Sequence, residues 1–137
     1  MKVQFEADIN ILPKMIAYIR DQSQAFGFHP LVIHKIELAC EEALVNIIKH
    51  GFPYEQGHIS LDCHNCSTKT GFEIFIADNG IAFNPLEYLN SHPRQPQVDS
   101  NKIGGNGVYL LLNLMDKVEY KRNNNLNTLI LVKYAVS

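Results

Sequence analysis

The sequence predicts an α+β fold: a two-layer sandwich with mainly antiparallel strands on one side and helices on the other. Three observations carry this. Two segments bracketed by prolines and glycines keep their apolar residues at helical spacing. Several shorter segments alternate apolar and polar residues, as half-buried strands do. A length of 137 residues suits one domain with a sizeable core and leaves little room for two.

Each element has its own signal. Val3 and Phe5 alternate with Lys2, Gln4 and Glu6, so residues 2–8 read as a strand. Asn10 is placed to cap a helix, with Pro13 in its first turn and Ile11, Leu12, Met15, Ile16 and Ile19 on one face. Gly27 stops it. Pro30 opens a second helix, whose apolar mass comes from Ile33, Ile36, Leu38, Cys40, Leu44, Val45 and Ile48. Gly51 and Pro53 close it. Ile59 and Leu61 alternate with Ser60 and Asp62. Phe72, Ile74 and Ile76 alternate with Glu73 and Phe75, and this strand ends at Asp78. The polar stretch Asn65–Gly71 joins the two as a hairpin. Pro85, Pro93 and Pro96 make residues 84–103 a loop, with a helical turn around Leu86–Leu89. Gly104, Gly105 and Gly107 lead into an apolar helical run, Val108–Leu114. Val118–Tyr120 and Leu126–Tyr134 are strands joined by a turn at Asn123–Asn125.

Composition narrows the function. Twelve Lys+Arg stand against 14 Asp+Glu, a net charge of -2, which gives no broad field to attract DNA but allows a local phosphate pocket. Residues 1–6 hold no signal-peptide core, and nothing approaches the roughly 20 apolar residues of a membrane span. Three cysteines, an odd count, suit a reducing compartment. The expected location is the cytoplasm, with neither nucleic-acid contact nor membrane insertion. Cys63-x-x-Cys66 has half the spacing of a zinc site, with His58 and His64 close by, but no second close pair exists. Core or strand-edge thiols are the preferred assignment.

Three polar groups stand out. Glu42 and Asn46 are one helical turn apart and share a face. Taken alone this is a solvated face. Beside a triphosphate, Glu42 could deprotonate an attacking hydroxyl, and the Asn46 oxygen could hold Mg²⁺. Lys49 could pair with a neighbouring carboxylate, and His50 near the helix end reads as a structural histidine. Asp78-Asn79-Gly80 is a plain turn, or a site where Asp78 accepts a hydrogen bond from the exocyclic amine of adenine while Gly80 lets the ring approach. Phe83 either lines that pocket or packs in the core. Gly104-Gly105-Asn106-Gly107 is a structural turn, or a loop whose N–H groups meet phosphate, with Lys102 and Arg94 as neutralising charges. It is neither a Walker A loop nor a dinucleotide fingerprint.

Together, in this order and spacing, the motifs resemble the GHKL ATPase/kinase superfamily, specifically bacterial anti-sigma-factor serine kinases. Glu42–Gly51 is similar to the family's N box, Asp78–Phe83 to its adenine box, and Gly104–Leu110 to its second glycine box. Met115–Tyr120 and Asn127-Thr128-Leu129 resemble its closing strands. The resemblance implies a single Bergerat-type domain over 1–137, a mainly antiparallel mixed sheet, and an ATP lid at 84–106. It implies Glu42 as general base and Asn46 as Mg²⁺ ligand. Asp78, Gly80, Lys102, Gly104, Gly105, Gly107 and Thr128 would complete the ATP site. The implied activity is transfer of the ATP γ-phosphate to a serine of a STAS-domain anti-sigma-factor antagonist, with sequestration of a sigma factor by a homodimer. A nucleotide-binding regulator with weak or no kinase activity is the alternative. A detached catalytic domain of a sensor histidine kinase is a further one. Asn106 and Val108 depart from the usual hydrophobic pair of the glycine box, and Lys102 stands where arginine is frequent.

Overall fold

The computed structural model describes residues 2–52, 57–66, 70–86 and 111–135. Chain order is β1 (Val3–Glu6), a 3₁₀ turn (Ile9–Ile11), α1 (Leu12–Phe26), α2 (Pro30–Gly51), β2 (His58–Asn65), β3 (Gly71–Asp78), β4 (Lys117–Asn123) and β5 (Leu126–Tyr134). The predicted glycine-rich loop lies outside the described residues, as do most of the 84–106 segment and the start of the helix after it. Residues 111–114 are helical.

Local chemistry sets the helix ends. The cap before α1 is Asp8, not Asn10: its carboxylate accepts from the Asn10 N–H at 2.9 Å and starts the 3₁₀ turn. Asn10 already lies inside that turn. Pro13 sits in the first turn of α1, where its missing N–H costs nothing. Gly27 ends α1 at φ 106, a left-handed conformation that other residues resist. His29 Nδ1 accepts from the Leu31 N–H at 3.1 Å and caps α2, with Pro30 as its first residue.

The strands form one sheet in the order β1-β2-β3-β5-β4, and all four described ladders are antiparallel. Asn124 (φ 52) and Asn125 (φ 64) form the two-residue loop between β4 and β5, the geometry that matches strand twist. β3 pairs with β5, not with β4, so the last strand inserts into the middle of the sheet. That register puts Asp78 opposite Asn127 and Ala77 opposite Thr128.

One sheet face carries Ile59, Leu61, Ile74, Ile76 and Leu131, all fully buried with Met15 and Ile19 of α1 and Ile36, Cys40 and Leu44 of α2. Each such side chain contributes about 1.5–3 kcal/mol by leaving water. The inner stripe of α2 runs through Ala39, Ala43, Asn46 and Ile47, whereas Leu38, Val45 and Ile48 are half-buried. Asn46 is thus a polar residue inside an apolar stripe. Among the described residues no helix is long and apolar enough to cross a membrane.

Candidate nucleotide site

The candidate pocket forms where β3 ends beside the last turns of α2. Asp78 is the final residue of β3, and its side-chain face is inward, so the carboxylate is only 3% exposed. Its Oδ1 accepts from the Gly80 N–H at 2.9 Å and from Asn127 Nδ2 at 3.0 Å. Burial raises its pKa. Donation by Asn127, donation by Gly80 and the positive charge of Arg122 each pull it back down.

Gly80 is required by space. A Cβ there would collide with the Gly51 carbonyl oxygen and stand 3.0 Å from Asp78 Oδ1. The same approach lets the Ile81 N–H donate to the Gly51 carbonyl at 2.9 Å, tying the β3 turn to the end of α2. Arg122 Nη1 donates to the Gly80 carbonyl at 2.9 Å. Asn79 accepts from the His58 N–H at 2.9 Å. The tripeptide is a turn whose first residue, Asp78, also forms part of a pocket wall.

Asn46, Asp78, Phe83, Tyr120 and Asn127 line one pocket together with Ala43, Ile47, Pro85, Leu111 and Leu129. Asn46 is 6% exposed and no described residue hydrogen-bonds its amide. Phe83 also stacks on His50, with centroids 5.0 Å apart, and burial together with Lys49 lowers the His50 pKa. Glu42 does not line this pocket. It lies one turn earlier on α2, half-buried, with its pKa raised by burial and then by Glu41. Lys102, Gly104, Gly105, Gly107 and Arg94 fall outside the described residues.

Thr128 requires a correction. Side chains alternate along β5, and Thr128 sits opposite Ala77 on the sheet face away from Asp78. The residue that meets Asp78 is Asn127, 4% exposed. Its Nδ2 also donates to the Ile81 carbonyl at 2.8 Å, and the Tyr120 hydroxyl donates to its Oδ1. Asn127, Tyr120 and Arg122 were not singled out from the sequence. The signal available was an Asn at an inward position of a strand otherwise carrying leucines, one residue from the position chosen.

A larger cleft of about 780 Å³ lies at the opposite end of β3, beside Phe26, Phe28 and Phe72. Cys63 lines it, but burial pushes that thiol up to about 12, which leaves it protonated and inert. His64 pairs with Asp62 at 2.9 Å. Among the described residues no group of His, Cys, Asp and Glu could hold a metal. The smaller pocket, mostly apolar but with a convergent carboxylate and amides, is the better candidate.

Comparison with known proteins places the chain in a family and supports its fold. Residues 5–133 match the family described as histidine kinase-like ATPase domain. The serine/threonine-protein kinase BtrW of Bordetella bronchiseptica is 33% identical over 101 residues, which cover 73% of this chain and 69% of the relative. The serine-protein kinase RsbW of Listeria innocua serovar 6a is 28% identical over 112 residues, covering 79% and 69%. Among solved structures, the histidine kinase domain of the Erythrobacter litoralis EL346 blue-light activated histidine kinase matches with a TM-score of 0.55 at 12% identity. That likeness of fold covers 90% of this chain and 59% of the other. The chain belongs to the histidine kinase-like ATPase domain family.

Proposed function

We propose that this histidine kinase-like ATPase domain is an ATP-dependent protein serine kinase that phosphorylates a STAS-domain anti-sigma-factor antagonist and sequesters a sigma factor. The observation that carries this is the buried Asp78 beside Gly80 and Asn46, in a chain 33% identical to a named serine/threonine-protein kinase. A carboxylate fixed at a strand end suits the exocyclic amine of adenine, and the missing Cβ at Gly80 lets the turn close on the Gly51 carbonyl while its N–H holds that carboxylate. The Asn46 amide, buried in the pocket wall with no described partner, fits a single protein ligand for Mg²⁺, since phosphates and waters fill the remaining positions. Bound there, the ion would neutralise phosphate charge.

Glu42 is the base. Its raised pKa brings it nearer to the working pH of a proton acceptor. The partner's serine oxygen forms the new bond to the γ-phosphorus, the bond from that phosphorus to the β-bridging oxygen breaks, and ADP leaves. The serine proton passes to the Glu42 carboxylate. Lys102, Gly104, Gly105 and Gly107 are assigned to the phosphates, within a lid at 84–106 of a single domain. The protein acts in the cytoplasm as a homodimer, and phosphorylation of the antagonist stops it from displacing sigma.

The test is a phosphotransfer assay with labelled ATP against candidate STAS-domain proteins, with sigma release measured in the same reaction. Serine phosphorylation of one antagonist, with sigma retained, is the expected result. Mg²⁺-dependent ADP binding without transfer to any of them would favour a nucleotide-binding regulator. Absence of ADP or ATP binding by calorimetry would sink both.

A further inference from the structure

We infer that Asn127, oriented by Tyr120, is a positioning residue that makes the pocket select a 6-amino purine over a 6-oxo purine, acting through Asp78. The inference rests on the adenine-nucleotide assignment just made and adds to it what sets base specificity.

The argument begins with how Asp78 is held. Both of its described donors, Gly80 N–H at 2.9 Å and Asn127 Nδ2 at 3.0 Å, meet the same oxygen, Oδ1. Two donors on one oxygen fix the plane of the carboxylate and leave Oδ2 as the acceptor for a ligand. No described residue donates to Oδ2. The amide of Asn127 has one orientation that satisfies its neighbours. Its Nδ2 donates to Asp78 and to the Ile81 carbonyl at 2.8 Å, and its Oδ1 accepts from the Tyr120 hydroxyl. Turned over, the amide would set an oxygen against a carboxylate and a carbonyl, two acceptor-to-acceptor contacts. With both N–H groups engaged, Asn127 has no donor to spare for a base, so it acts on the base through Asp78.

That arrangement has a chemical consequence. A 6-amino group donates to a fixed carboxylate. A 6-oxo group, as in hypoxanthine or guanine, sets its oxygen against it. Without the Asn127 donor, Asp78 could turn or take up a proton, and a protonated carboxyl could donate to a 6-oxo group. Loss of Asn127 therefore narrows the preference between the two bases, whereas a purely structural role would weaken both ligands alike.

The experiment titrates the full chain with ADP and with IDP, in the presence of Mg²⁺, by calorimetry. Wild type is expected to prefer ADP. Asn127→Ala should narrow the ADP:IDP ratio about tenfold, the scale of one hydrogen bond to a charged group. Asn127→Thr, whose hydroxyl can donate to Asp78 from a residue suited to a strand, should restore most of the ratio. Tyr120→Phe, which removes one hydroxyl from the edge of the network, should narrow it about threefold. It decides the matter if circular dichroism finds Asn127→Ala unfolded. Equal loss of both ligands, or an unchanged ratio in the folded variants, overturns the inference. So does a wild type that binds both equally. A wild type that binds neither fails at the adenine-nucleotide assignment instead.

Discussion

Asp78 and Glu42 are two carboxylates whose pKa values burial raises, yet they are held in opposite ways. Asp78 is clamped by a backbone N–H and a side-chain amide, with Arg122 on the adjacent carbonyl. Glu42 sits half-buried on α2, and no described residue hydrogen-bonds it. A group that must recognise one edge of a ligand gains from being fixed. A group that must take up a proton gains from an environment that raises its affinity for one without bonding it away. Under the proposed function, that difference in support suits the strand end to binding and the helix to proton transfer.

The sharpest way to break this division is Glu42→Gln. Turnover at saturating ATP should fall about 10²–10⁴-fold, while ADP affinity by calorimetry stays within about twofold. Equal loss of both would remove the distinction. Asp78→Asn is the complementary change and should weaken ADP binding about a hundredfold. Its amide would keep an oxygen for Gly80 and Asn127 but turn a donor toward the amine of the base. Unaltered ADP affinity would show that the strand end is only a turn. Gly80→Ala tests the close approach on which the pocket rests. A Cβ against the Gly51 carbonyl should cost about 1–3 kcal/mol in urea unfolding. A wild-type midpoint would mean that the turn has room to move.

The smallest effect expected concerns pH. As the proposed base, Glu42 would act only when ionised, so turnover should fall as pH drops through its raised pKa, above the ordinary carboxylate value. Glu41 is the second cause of that rise. Glu41→Gln should therefore move the acid limb of the pH–rate profile to lower pH, with little change at neutral pH. An unmoved limb would detach the profile from Glu42.

Much of the fold was legible because it is written in local periods. The apolar stripe of α1, the prolines and glycines at helix ends, and the alternation of β2 and β3 needed only neighbouring residues. The Asn124-Asn125 loop was legible for the same reason: asparagine tolerates positive φ. Asp78 and Gly80 were visible as candidates, although their turn alone would have explained them. Asn127 was not visible, because its partner is 49 residues away and the register between β3 and β5 decides which side chain faces it. A shift of one residue along a strand exchanges faces, and Thr128, the residue the resemblance implies, lies on the other face. Tyr120 and Arg122 were hidden for a related reason: their partners are set by β4 lying next to β5 at the sheet edge.

The placement of β5 between β3 and β4 also orders events during synthesis. Until residues 126–134 have left the ribosome and paired, Asp78 lacks Asn127, β3 has an unpaired edge and the pocket is incomplete. A chain under translation can gather α1, α2 and the β2–β3 hairpin, whose contacts are closer in sequence, well before that. Competence to hold a nucleotide would then arrive with the final strand, making ligand capture a report that the whole sheet has closed.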